Sequence, residues 1–255
     1  MPRINWTRDE LIVAFNLYCR TPFGRIHNRN PDIIALAQAL GRTPSAVSYK
    51  LANFSRLDPT LQARGIQGAG HGSKGEEEIW NEFQDNWSAL AYESERLLAG
   101  MMGVPLEQVS HIESPDVIIE GKEREAVVRV RVNQSFFRSA VLAAYNSRCC
   151  ISGIAVPELL NASHIVPWSV DAANRVNPRN GLCLNALLDR AFDRGLITVT
   201  QEYEVRVSAK FKGSADTEGL NGTVLRYHGQ KLRMPERFTP EPSFLDYHNQ
   251  QIFRG

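Results

Sequence analysis

Three kinds of side chain that can cooperate in phosphodiester hydrolysis lie within one short stretch: His164, Asn180, and the pair Asp189 and Asp193. That reaction needs a base to activate water, a rigid frame around the phosphate and a cation to neutralise developing charge. An imidazole suits the first task, a side-chain amide that ties a loop together suits the second, and carboxylates suit the third. The stretch therefore contains a complete candidate set.

Two strands and a helix must position these residues. Residues 162–168 alternate small and apolar side chains and include two β-branched residues, which predicts a strand presenting His164. Residues 181–184 predict a second short strand. The apolar spacing of residues 185–194 predicts a helix that ends at Gly195.

Asn180 lies at the exit of the loop between the two strands, where its amide can bond the loop backbone. Asp189 and Asp193 are four residues apart on the predicted helix, so they share one face and can bind one cation. Asp193 is also in the last turn, where its charge opposes the helix dipole. Its partner there is either a metal ion or one of the neighbouring arginines Arg190 and Arg194.

The order strand, loop, strand and helix, with Asn161–Trp168, Asn177–Leu182 and Leu188–Gly195, resembles the HNH nucleases, also called His-Me finger or ββα-metal nucleases. The likeness spans residues 134–195, and its flanks look like a bacterial, restriction-endonuclease-like branch. The resemblance implies that His164 is the general base and Asn180 the loop-fixing asparagine. It places Asp189 at the position of the final metal-binding residue and Asp193 at that of a further ligand.

Two positions depart from the pattern of that family. Ser163 precedes the base where an acidic or histidine ligand is common, and the final ligand is Asp189 rather than histidine or asparagine. Oxygen ligands favour hard ions. We therefore expect one divalent ion, Mg²⁺ or Mn²⁺ rather than Zn²⁺, with Ser163 in a water-bridged or outer role. Arg175 and Arg190 are candidate contacts to DNA phosphates.

The N-terminal region predicts three helices. Thr7 and Glu10 have capping-box spacing, a second helix covers residues 32–40, and Thr43-Pro44 begins a third helix after Gly41. A helix, a tight turn and a helix predict a DNA-binding helix-turn-helix or, equally simply, a helical hairpin of an α-rich domain. In the first case the outward, DNA-contacting residues would be Arg42, Ser45, Ser48, Tyr49, Lys50 and Asn53.

Three further elements follow from periodicity. Residues 76–98 predict one long amphipathic helix with a buried apolar face. Alternating valine and arginine at 127–132 predict a strand, and residues 134–145 predict a helix. Residues 196–199 and 203–207 predict a hairpin.

The net charge of +1 is unevenly distributed along the 255 residues. Residues 1–65 contain 9 Lys and Arg against 4 Asp and Glu, residues 66–127 contain 4 against 13, and residues 128–255 contain 16 against 11. Basic ends around an acidic middle suggest that nucleic acid contacts the two ends. The four cysteines form no C-x-x-C pair and are expected to be buried thiols. Neither a signal peptide nor a membrane span is indicated, so we expect a cytoplasmic protein.

Together these features predict an α+β protein. A helical, DNA-targeting domain covers residues 1–102, a linker covers 103–126, and a ββα-metal HNH nuclease domain covers 127–255. We expect the protein to be a metal-dependent endonuclease that cleaves duplex DNA in restriction or phage defence. A homodimer is one arrangement in which it would act. Two alternatives stay open: a non-catalytic DNA-binding regulator on a degenerate HNH scaffold, and an RNA-directed or toxin-like nuclease.

Overall fold

The computed structural model describes residues 5–66, 68, 72–110, 121–212 and 217–255. The chain divides into two compact units, Met1–Ala140 and Val141–Gly255. Helices and small sheets occur together, as predicted for an α+β protein. Of the predicted linker, residues 111–120 lie outside the described residues. No helix in the described ranges is both long and apolar enough to cross a membrane.

The described part of the first unit is helical. Thr7 begins α1 with the predicted capping box, and Thr43 begins α3 by accepting a hydrogen bond from the Ala46 backbone, with Pro44 in the first turn. The helices are α1 (Arg8–Arg20), α2 (Pro31–Ala39), α3 (Pro44–Ser55), α4 (Pro59–Ala63), α5 (Lys74–Phe83), α6 (Trp87–Met102), α7 (Leu106–Val109) and α8 (Gly121–Ala144), whose last turn belongs to the second unit.

Aromatic rings fill the core of this unit. The ring of Phe15 stacks on Phe54 with centroids 4.9 Å apart, and the ring of Trp80 lies 5.2 Å from Phe15. Trp87 packs on Phe136 of α8. Residues predicted as one helix over 76–98 instead form α5 and α6. The chain turns at 84–86 because Asn86, a poor helix former, takes an extended φ of −134° just before α6.

The strand predicted at 127–132 is wrong, because these residues lie within α8. Val128, Val132 and Phe136 are spaced by four and are all buried, while Arg129 and Arg131 point to solvent. Alternating valines satisfy a helical spacing as well as a strand spacing, and packing against the helical core decides between them.

The second unit contains two antiparallel strand pairs and short helices. Strand β1 (Leu160–His164) pairs with β2 (Gly181–Asn185), and α9 (Ala186–Asp193) follows directly. The predicted hairpin after α9 is confirmed as β3 (Ile197–Val199) and β4 (Val205–Val207). The later helices are α10 (Ala209–Lys212), α11 (Thr217–Thr223), α12 (Pro242–Tyr247) and a π-helical turn at His248–Ile252. Cys149, Cys150 and Cys183 are buried free thiols, as is Cys19 of the first unit.

Candidate active site

The loop between β1 and β2 is held together by the side chain of Asn180. This residue is fully buried, and its Oδ1 accepts a hydrogen bond of 2.8 Å from the Val166 backbone. Its Nδ2 donates to the carbonyls of Val166 and Asn174 over 3.1 and 3.2 Å. One amide thus joins the exit of β1, the middle of the loop and the start of β2. This is the arrangement that the sequence predicted for residue 180.

His164 ends β1 and lies opposite Gly181 of β2. Its Nε2 is 2.8 Å from the carbonyl oxygen of Arg175. A carbonyl can only accept a hydrogen bond, so Nε2 bears the hydrogen and Nδ1 bears the lone pair of the neutral ring. The edge of the ring also contacts Trp168. The loop therefore orients the imidazole through its backbone.

The environment of His164 favours its neutral form. Burial lowers the pKa of the imidazole, and the hydrogen bond to the Arg175 carbonyl offsets part of that effect. A histidine with a pKa below its usual value is unprotonated at neutral pH, which is the state a general base needs.

Helix α9 begins at Asn185, whose side chain accepts from the backbone N–H groups of Leu187 and Leu188. This cap fixes the start of the helix directly after β2. On α9, the Oδ2 of Asp189 accepts a hydrogen bond of 2.7 Å from the Nδ2 of Asn161 in β1. Strand β1 thus carries both His164 and the residue that contacts the Asp189 carboxylate of α9.

Asp193 lies one turn beyond Asp189. Asp193 is exposed, but partial desolvation of its carboxyl raises the pKa, the charge of Asp189 raises it further, and the charges of Arg190 and Arg194 lower it. Neither arginine forms an ion pair with Asp193 within the described residues. The two carboxylates therefore repel each other, and the charges of Arg190 and Arg194 offset part of that repulsion.

These residues fit a small, hard divalent cation. Mg²⁺ is commonly bound through one or two carboxylates and keeps several waters, and Mn²⁺ accepts the same oxygen ligands. Two mutually repelling carboxylates provide that donor set. Among the residues that the structure describes, no three of His, Cys, Asp and Glu converge on a metal position. A site that encloses its metal, such as a structural zinc site, is therefore not formed there.

Ser163, the expected outer contact, is buried and paired with Leu182 across the strands. Its hydroxyl has no hydrogen-bond partner in the described part of the chain. Asn161, two residues earlier, makes the contact to the α9 carboxylate. Asn161 is a site residue that the motif alone did not predict, although it lies two residues from Ser163 and therefore on the same face of β1.

Two arginines of this unit were predicted to contact DNA. The guanidinium of Arg175 donates through Nε to the Trp168 carbonyl over 2.6 Å and lies over the Trp168 ring at 5.4 Å. The loop thus fixes this guanidinium over the Trp168 ring, which in turn contacts the His164 ring. Arg190 is exposed on α9, between Asp189 and Asp193 in the sequence.

In the first unit, the predicted outward position of Lys50 and Asn53 is wrong. Both are buried and bond the carboxylate of Glu76, which is itself fully buried. Burial raises the pKa of Glu76, but the hydrogen bonds from Lys50, Asn53 and Ser73 outweigh that effect and the pKa lies below its usual value. The partner that draws these residues inward lies in α5, which spacing along α3 alone does not reveal.

Arg42 also bonds within its own unit. Its guanidinium donates to both oxygens of Glu10 and lies 4.3 Å from the ring of Trp6. Tyr49 is 46% exposed, and Ser45 is exposed while accepting a hydrogen bond from Asn28. Ser48 is half-buried. Of the six predicted contacts, Ser45, Ser48 and Tyr49 remain available on the α3 surface.

The C-terminal geometry defines a class of protein: a β-hairpin and helix with a loop-oriented histidine, a loop-fixing asparagine and helical carboxylates. Residues 149–200 match the family model described as HNH endonuclease. The chain therefore contains a domain of the HNH endonuclease family. A search of curated proteins gives no match to this chain.

Proposed function

We propose that this protein is a divalent-metal-dependent endonuclease that hydrolyses duplex DNA. The observation that carries the proposal is the joint placement of His164, Asn180 and Asp189 on one ββα unit, each fixed by a hydrogen bond. A degenerate scaffold has no need of a histidine with an oriented tautomer and a lowered pKa.

In the proposed reaction, Nδ1 of His164 removes a proton from a water molecule, and the water oxygen attacks the phosphorus. The bond from phosphorus to the 3′ oxygen breaks, the leaving 3′ oxygen takes a proton from solvent water to become a hydroxyl, and the imidazolium returns its proton to solvent. The Arg175 carbonyl holds the hydrogen on Nε2 throughout, so the ring gains charge while its orientation is kept. Asn180 keeps the loop, and thus that carbonyl, in place.

Asp189 and Asp193 would hold the cation, with Asn161 orienting Asp189. A bound Mg²⁺ or Mn²⁺ would stabilise negative charge on the phosphate and on the leaving oxygen. Arg175 and Arg190 would contact neighbouring phosphates. In the first unit, the exposed α3 residues would contact DNA, and the exposed arginines Arg25 and Arg29, which precede α2, would contact its phosphates.

We infer the biological setting from the family likeness. Restriction or phage defence in the cytoplasm fits a nuclease domain joined to a helical targeting unit. One HNH site cuts one strand, so double-strand cleavage would use a homodimer or two successive nicks.

The experiment is incubation of the purified full-length protein with supercoiled plasmid, single-stranded DNA and structured RNA. Each is tested in Mg²⁺, Mn²⁺ and EDTA, beside Asp189→Ala. Nicking or linearisation of plasmid in Mg²⁺ or Mn²⁺, lost in EDTA and in Asp189→Ala, is the expected result. Cleavage of RNA alone would favour the RNA-directed alternative. Plasmid binding without cleavage of any substrate would favour the non-catalytic regulator.

A further inference from the structure

A buried histidine of the C-terminal segment contacts the end of the helix that bears the carboxylates. His248 is 1% exposed and begins the π-helical turn after α12. Its Nε2 lies 3.2 Å from the carbonyl oxygen of Phe192, and its Nδ1 lies 2.8 Å from the hydroxyl of Thr198 in β3. Because the carbonyl must accept, Nε2 donates to Phe192 and Nδ1 accepts from Thr198. Each ring nitrogen of His248 therefore has one hydrogen-bond partner, which fixes the tautomer of the ring.

The ring of His248 also packs flat on the side chain of Phe192. The ring centroids are 3.7 Å apart and the planes differ by 13°. Phe192 is the penultimate residue of α9 and precedes Asp193 directly. His248 therefore contacts both the ring and the backbone carbonyl of Phe192. These two contacts fix the direction of the last turn of α9.

Residues after His248 also contact the end of α9. Gly195 follows α9 with a φ of +66°, and its carbonyl accepts a hydrogen bond of 2.8 Å from the Arg254 backbone. A Cβ at position 195 would lie 2.0 Å from the Ile252 carbonyl oxygen, so only glycine permits this approach. The C-terminal segment and the end of α9 consequently form one packed unit.

The two carboxylates differ in how they are held. Asp189 is fixed at its oxygen by Asn161, whereas the position of Asp193 follows from the end of α9. We propose that His248 is a positioning residue that sets the placement of Asp193 relative to Asp189, and thereby the affinity of the pair for a divalent cation. This inference rests on the proposed metal site. Outer residues that orient metal ligands typically change metal affinity by about 10- to 100-fold when they are removed.

The test is Mn²⁺ binding to the full-length protein, measured from the paramagnetic resonance signal of free Mn²⁺ during titration. His248→Phe keeps the stacked ring and removes both hydrogen bonds, so we expect Mn²⁺ affinity to fall about tenfold. His248→Gln can still donate to the Phe192 carbonyl and should recover most of that loss. Thr198→Val leaves the histidine in place but removes its second bond, and should weaken binding by a smaller factor.

Asn249→Ala is the matched control. Asn249 lies on the same turn but donates to the carbonyls of Val199 and Leu245, not to α9. It should lower the melting temperature of the metal-free protein while Mn²⁺ affinity stays within about twofold, because the end of α9 keeps its bonds. A purely structural role for His248 predicts instead that affinity follows melting temperature across all four variants.

Asp189→Asn separates this inference from the proposed function. If wild-type protein does not bind Mn²⁺, or if Asp189→Asn binds it equally well, both proposals are overturned. If Asp189→Asn loses binding while His248→Phe and Thr198→Val bind like wild type, the positioning role alone is overturned. Should His248→Phe fail to fold, Thr198→Val decides the question by the same criterion.

Discussion

In the first unit, the charged side chains around the helical hairpin bond to one another, whereas in the second unit the polar side chains of the ββα element bond mainly to backbone. Lys50 and Asn53 meet Glu76 in the interior, and Arg42 meets Glu10. By contrast, Asn180 and His164 are tied to loop carbonyls and amides. A side chain that is fixed by the backbone, such as His164, keeps one orientation toward a reactant, while mutually paired charges stabilise a core.

The largest change in the free energy of unfolding should follow the removal of a buried charge from the first unit. Lys50→Ala removes the hydrogen-bonded cation of the fully buried Glu76 carboxylate and leaves it the more distant Arg56 guanidinium, 3.9 Å away. Breaking a buried pair costs about 3–5 kcal/mol, so the free energy of unfolding should fall by that amount at pH 7. Urea unfolding followed by circular dichroism measures it. A loss below about 1 kcal/mol, together with weaker DNA binding, would mean that Lys50 faces DNA after all.

The double variant Lys50→Met with Glu76→Gln is the control for this prediction. It removes both charges and keeps side chains of similar volume, so it should be more stable than Lys50→Ala. If the double variant were less stable than the single variant, the buried charge would not be the cause.

As the pH falls, the second unit should lose stability at a higher pH than the first unit does. Burial lowers the pKa of His248 to about 4, while the unfolded value is 6.5. As pH falls below 6.5 the unfolded chain takes up this proton first, so the second unit should lose roughly 3 kcal/mol by pH 4. The Glu76 carboxyl of the first unit has a lowered pKa, so its contribution is present above pH 4.5 and is lost only at lower pH.

Pulse hydrogen exchange at one labelling pH, after incubation in urea at pH 7 and pH 4.5, reports the two units separately. His248→Gln is the control, because it has no group that titrates in this range. Equal acid sensitivity in wild type and His248→Gln would show that another group is responsible.

The smallest change in the free energy of unfolding should follow substitution of Tyr49, the residue before Lys50 on α3. Tyr49 is 46% exposed, so Tyr49→Ala should change the free energy of unfolding by less than about 0.5 kcal/mol. If the α3 surface binds DNA, affinity should fall by a few-fold to about tenfold, the effect of losing one or two polar contacts. Fluorescence anisotropy with labelled duplex at fixed salt measures this. Unchanged affinity would remove α3 from the DNA interface.

The ββα element could be predicted from the sequence because its signals are local. The loop that Asn180 closes, the cap at Asn185 and the stop at Gly195 all lie within a few residues of the elements that they define. The order of base, asparagine and carboxylate could therefore be recognised from spacing.

Other features depend on partners far along the chain. Lys50 turned inward because Glu76 lies 26 residues later, Asn161 meets Asp189 across 28 residues, and His248 meets Phe192 across 56. The valines of α8 allowed either a strand or a helix until core packing decided. Spacing within one element contains no information about such contacts.

The central claim is that His164 is the base of a DNA-cleaving site. Its most direct test is single-turnover plasmid cleavage by His164→Ala in Mg²⁺ or Mn²⁺, with DNA affinity measured in parallel. His228→Ala, which removes an exposed histidine of the same unit, is the control. We predict a loss of about 100- to 10,000-fold in rate for His164→Ala with DNA affinity within about twofold, and near wild-type cleavage for His228→Ala. Wild-type cleavage by His164→Ala would contradict the account.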